Sequence, residues 1–134
     1  MQLIAMPNTI ELTVVVFCAQ WCSTCREFRF VLDPLTAQYP NIIPVWLDTE
    51  DDAEVTNDIE VDNFPTVAIY KQGIPFFFGD ILPQRQIIER LIRSVENTDR
   101  PLSSIPSSVS ALTQHLFQGK TTEQAYPQLT ERHL

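Results

Sequence analysis

The chain has 134 residues, 44% of them hydrophobic, and its 17 acidic and 9 basic side chains give a formal net charge of -8. That length buries one core and leaves no room for two independent ones, while the negative surface argues against nucleic acid or an anionic membrane as the main partner, because both would repel it. No stretch reaches the roughly 18 apolar residues of a spanning helix, and the N-terminal apolar residues lack a basic flank and are interrupted by Glu11 before a secretory segment forms. Three cysteines, two of them in one short motif, do not make the disulfide framework of a small secreted domain. The expectation is a single cytoplasmic unit with no nucleic acid and no membrane as partner.

In chain order, Gln2 to Ala5 reads as a short first strand, followed by turn chemistry at Met6-Pro7-Asn8-Thr9. Thr13 to Cys18 is β-branched and apolar on both faces, which predicts a strand in the middle of a sheet covered on each side. From Cys22 to Tyr39 the residues Phe28, Val31, Leu32 and Leu35 recur at three and four positions, a helix with one face on the sheet, and Pro34 predicts a kink in it. Ile42 to Leu47 is a further apolar strand, Glu50 to Asp58 a short acidic helix, and Thr66 to Tyr70 a strand after Pro65. Lys71-Gln72-Gly73 supplies a hairpin turn into Pro75 to Phe78, which Pro75 confines to a sheet edge. Gln84 to Val95 is an amphipathic helix with Ile87, Ile88, Leu91 and Ile92 facing inward.

After Asn97 the composition shifts to five Ser, five Thr, four Gln and three Pro in the last 37 residues. Residues 1–97 are therefore expected to form the domain, and 98–134 a tail or loosely docked appendage. Within the appendage, residues 106–118 carry helical punctuation: Pro106 at the start, Val109, Leu112 and Leu116 on one stripe, and Gly119 where a cap would fall. This helix is expected to pack over the sheet or its edge strand. Phe76-Phe77-Phe78 cannot all face one core, so at least one must be exposed or covered by the tail or a partner.

Chemistry concentrates at Trp21-Cys22-Ser23-Thr24-Cys25. Two thiols at this spacing at a helix start can close a small disulfide ring, and the dipole and free N–H groups there favour a thiolate at the first. A tetrahedral zinc site needs four ligands, and the chain adds only Cys18, His115 and His133 to the pair, so no metal is expected. Both histidines read as solvated surface residues, and Cys18 as a small buried apolar side chain that also brings a third thiol near the site. Trp21 is either core packing or part of a client surface. The acidic Glu50-Asp51-Asp52 and Glu54 read as a solvated helix start. Three glycines and no glycine-rich loop leave nucleotide binding unsupported.

With these placed, residues 2–96 resemble the thioredoxin family. The resemblance rests on Phe17-x-Ala19-x-Trp21-Cys22-x-x-Cys25 followed by Arg26, on Val31-Leu32-Asp33, on Phe64-Pro65-Thr66 before a strand, and on Lys71-x-Gly73. It implies an α/β, thioredoxin-like three-layer sandwich with a mixed central sheet of four to five strands flanked by helices, the first helix shortened or absent, and an extra C-terminal helix or tail. The segment before the dithiol is about ten residues shorter than is usual in the family, so one sheet face is expected to be less covered. The resemblance further implies that Pro65 is cis beside the dithiol, where the preceding backbone pairs with an extended client and Phe64 shapes the groove.

By the same resemblance Cys22 is the nucleophile and Cys25 the resolving thiol, Ser23 and Thr24 tune the potential of the couple, no cofactor is bound, and electrons reach protein disulfides from a flavin-dependent thioredoxin reductase. Val16 stands where the family usually has a buried Asp that assists resolution, and Cys18 where it usually has Trp. Slower resolution is the expected consequence of Val16. A second reading, kept open by Val16 and the extension, is a thioredoxin-fold binding or assembly module that holds a protein partner and in which the dithiol is secondary.

Overall fold

The computed structural model describes residues 10–56 and 58–116. Four strands, β1 (Leu12–Cys18), β2 (Ile42–Asp48), β3 (Thr66–Lys71) and β4 (Ile74–Asp80), form one sheet in the order β2-β1-β3-β4. β1 runs parallel to β2, with Leu12 opposite Ile42 and Cys18 opposite Asp48, and antiparallel to β3. β3 and β4 are antiparallel. The strand read as central is central, and all seven residues of β1 are buried. The strand expected at Gln2 to Ala5 lies outside the described residues.

Alternation along β1 divides two cores. Leu12, Val14, Val16 and Cys18 face the helices α1 (Ser23–Gln38) and α3 (Arg85–Glu96), which bury Cys25, Phe28, Leu32 and Leu35 and Ile88, Ile92 and Val95 against them. α1 continues through Pro34 to Gln38. Val15 and Phe17 face the other way, toward Val45, Leu47, Ala68, Tyr70 and the helix α4 (Ser107–Leu116). The expectation of a thinly covered face is corrected here: Val109, Leu112 and Leu116 of α4 are buried on it. Average composition after Asn97 reads as a tail because polar residues dilute a stripe whose few apolar members all point one way.

The three-layer sandwich is therefore present, with four strands among the described residues and the additional C-terminal helix. The acidic segment forms only a single turn of helix, α2 (Ala53–Thr56), rather than running from Glu50 to Asp58.

The β3–β4 hairpin turns on Gln72 and Gly73, both with positive φ (53° and 84°), the geometry that matches a two-residue turn to the twist of its strands. A register shift between Ile69 and Tyr70 sets Ile69 opposite Phe77 but Tyr70 opposite Pro75, leaving Phe76 as the extra residue of a bulge. The bulge resolves the aromatic run: Phe76 and Phe77 pack on the α1/α3 side, and Phe78 joins the α4 side against Phe17. The outer edge of β4 is covered by the segment before α4. Leu102 N donates to Phe76 O at 2.7 Å, while the Ser103 hydroxyl accepts from Phe78 N at 3.0 Å and donates to Phe78 O at 3.3 Å. An exposed edge of this kind is a template for unwanted pairing, and here the chain occupies it itself.

Candidate functional site

β1 ends at Cys18, and a tight turn carries the chain to α1, with Cys22 N donating to Ala19 O at 3.0 Å. Two further bonds pin this turn from outside. The buried Asp48 carboxylate at the end of β2 accepts from Gln20 N at 3.0 Å, and the Arg26 guanidinium donates to Gln20 O at 2.9 Å. Asp48 also accepts from Glu50 N at 2.8 Å and Asp51 N at 2.9 Å, and Asp52 closes the loop by accepting from Asp48 N at 2.7 Å. The acidic run is thus not wholly solvated: Asp52 is buried, and Asp48, which the sequence reading passed over, organises the loop. An Asp at a strand end followed by Thr and a further Asp four residues on is the signal for such an Asx-type turn.

Cys22 occupies the N-cap of α1 with extended backbone (φ -88°, ψ 114°), half-buried and free. Cys25, one turn into the helix, is fully buried, and its sulfur is joined to that of Cys18 with the Cα atoms 5.9 Å apart. Burial of Cys18 agrees with its reading as a small apolar residue, but the bond goes further. The oxidised pair recorded is Cys18–Cys25, not the Cys22–Cys25 ring that the motif suggests. All three cysteines belong to the cluster between β1 and α1. Val16 is fully buried in that cluster. The carboxylate in register with Cys18 on the neighbouring strand is Asp48, whose oxygens are occupied by the three backbone N–H groups above.

Trp21 is 66% exposed and packs edge-on against Phe64, ring centroids 5.6 Å apart. Exposure at this level is not that of a core side chain. Phe64 is half-buried and precedes a cis bond to the buried Pro65, and the Thr66 hydroxyl donates to Asn63 O at 2.6 Å to hold that loop. The aromatic pair therefore bridges the cysteine turn and the proline loop. Ser23 is exposed and Thr24 half-buried on the first turn of α1. Among the described residues no three His, Cys, Asp or Glu side chains gather as metal ligands would, and no helix is long and apolar enough to cross a membrane. His133 and the side chain of His115 lie outside the described residues.

The thioredoxin family model matches residues 4–91. The chain belongs to the thioredoxin family. Its relatives include putative thioredoxin H10 of Arabidopsis thaliana, 38% identical over 66 residues (49% of this chain and 43% of that protein), and thioredoxin of Mus musculus, 35% identical over 63 residues (47% of this chain and 60% of that protein). The matches thus span about half the length of these thioredoxins. Among solved structures, the oxidised thioredoxin of Plasmodium falciparum is 22% identical with a TM-score of 0.56, covering 66% of this chain and 85% of that one. Mitochondrial thioredoxin 3 of Saccharomyces cerevisiae is 25% identical with a TM-score of 0.56, covering 63% and 78%. The Plasmodium likeness carries the thioredoxin fold, and the family match carries membership of the family.

Proposed function

We propose that this chain exchanges electrons with disulfides of protein clients, with Cys22 as nucleophile and Cys25 as resolving thiol. In the reduced protein the Cys22 thiolate attacks a client disulfide, forming a mixed disulfide and releasing one client thiolate. Cys25 then attacks the Cys22 sulfur, the Cys22–client bond breaks, and the client leaves with both sulfurs reduced. The observation that carries this reading is the position of Cys22: free and partly accessible at the N-cap of α1, beside an exposed Trp21–Phe64 pair that offers an apolar rest for an extended peptide. The backbone before Pro65 supplies strand-like hydrogen bonding to such a peptide. Fully buried Val16 brings no carboxylate to Cys25, so resolution is slow and the mixed disulfide long-lived. A reducing compartment such as the cytoplasm and a flavin-dependent reductase as electron donor are the setting this reading implies.

Residues 98–116 we assign to the same folding unit as the sheet through α4, rather than to a separate function. The test of the reading is covalent trapping with Cys25→Ser. Clients should accumulate on Cys22, be released by dithiothreitol, and vanish in the Cys22→Ser, Cys25→Ser double variant. Equal capture by the double variant would overturn it in favour of a holding module.

A further inference from the structure

The described residues contain a third sulfur that the two-thiol cycle leaves without a task. Cys18 sits at the end of β1, 2% exposed, and its sulfur is bonded to that of Cys25. Cys25 thus has a partner on the inner side of α1, while Cys22 lies one helical turn away at the N-cap, half-buried at the margin of the same cluster. Both sulfurs of the recorded bond are buried, at 2% and 0% exposure, so that bond is shielded from solvent and from a client, whereas the remaining thiol is the accessible one.

We propose that Cys18 is a third redox-active thiol, which takes over Cys25 after a client has been reduced and returns Cys22 to the free state. This inference rests on the oxidoreductase reading above. Once that reaction has left a Cys22–Cys25 bond, the Cys18 thiolate attacks the Cys25 sulfur. The Cys18–Cys25 bond forms, the Cys22–Cys25 bond breaks, and its electron pair leaves on Cys22, which takes up the proton that Cys18 gave up. No electrons enter or leave, because the two lost to the client were already gone; the exchange only relocates the oxidised bond from the surface to the core. The consequence is an oxidised protein whose nucleophile is restored while its resolving thiol is engaged. Such a form captures a second client disulfide and holds it, since Cys25 is not available to release it until the buried pair is reduced.

The experiment is a disulfide map of the native chain. The protein is oxidised with oxidised glutathione, alkylated with iodoacetamide while folded, and cleaved with chymotrypsin, which cuts after Phe17, Trp21 and Phe28 and so separates Cys18 from Cys22 and Cys25. The expected product is the 18–21 peptide linked to the 22–28 peptide, with the alkyl label on Cys22. The Cys18→Ser variant treated in the same way should carry an internal Cys22–Cys25 bond, lose its Cys22 label, and reduce insulin with dithiothreitol severalfold faster than the native chain, because its oxidised bond is open to the reductant. A Cys22–Cys25 bond in the native chain, with Cys18 alkylated only after unfolding, overturns the inference and leaves the oxidoreductase reading standing. Failure of Cys18→Ser to form a Cys22–Cys25 bond, together with inability of either protein to reduce insulin, overturns that reading, and any Cys18–Cys25 bond in the native map is then structural.

Discussion

The Tyr70 hydroxyl, on the sheet face opposite α1, donates to the Val109 carbonyl in the first turn of α4 at 2.7 Å. Burial pushes this phenol above its usual value near 10. Below pH 10 folded and unfolded chains both hold the proton. Above it the unfolded chain releases the proton while the folded chain retains it, so stability falls as pH rises. Urea midpoints of the native chain should therefore drop between pH 9 and 11, and those of Tyr70→Phe should drop less. At neutral pH the variant should lose about 1 kcal/mol, because the buried hydrogen bond to the Val109 carbonyl is gone. An identical alkaline slope in the two proteins would contradict the assignment.

Val109, Leu112 and Leu116 are buried on the same face, which makes α4 part of the core. Leu112→Ala should cost about 2–5 kcal/mol, the range for emptying a buried leucine site. Truncation after Asn97 removes this packing together with the bonds to Phe76 and Phe78, and it uncovers the edge of β4. The truncated protein should melt well below the full chain and self-associate through that edge, readable by thermal unfolding and light scattering. Unchanged melting would return α4 to the status of an appendage.

What the sequence disclosed follows from which interactions are local. The β-branched run at Thr13–Cys18 and the stripe of Phe28, Leu32 and Leu35 carry their period on the page, so the strand and helix were readable to within a residue or two. Stripe spacing likewise announced α4. The Phe76–Phe78 puzzle could be posed from sequence but not solved, since its answer is a register shift set by the partner strand. Asp48 and Asp52 were missed although most of their bonds are local, Asp48 accepting from Glu50 N and Asp51 N and Asp52 from Asp48 N; only the bond from Gln20 N to Asp48 needs the tertiary fold. The chain offers three thiols, two of them in the motif, but which one meets Cys25 depends on how α1 lies against β1, and no spacing along the chain contains that.

Lys71, at the end of β3, donates from Nζ to the carbonyls of Val95 at 3.0 Å, Glu96 at 3.2 Å and Thr98 at 2.8 Å. A cation there meets carbonyls at the negative end of α3, of which Val95 O also accepts from Thr98 N at 3.4 Å. Lys71→Met keeps the length of the stem and removes the charge, so its expected cost is about 2 kcal/mol, in line with charged hydrogen bonds. Hydrogen exchange should rise first at the C-terminal turn of α3. A variant as stable as the native chain would show that water caps these carbonyls equally well.

Asp48 couples the fold to the candidate site, because its carboxylate holds Gln20 N, two residues before Cys22, as well as the loop after β2. Asn at this position keeps one acceptor oxygen and turns the other into a donor facing backbone N–H groups, so at least one buried donor loses its partner. Asp48→Asn should cost about 1–3 kcal/mol. Loosening the Gln20 anchor should also let iodoacetamide reach Cys22 faster, whereas Glu50→Gln, altering an exposed side chain on the same loop, should change neither stability nor labelling. Stability lost without a change in Cys22 labelling would confine Asp48 to the β2 loop and leave the Arg26 bond to Gln20 O as the hold on the cysteine turn.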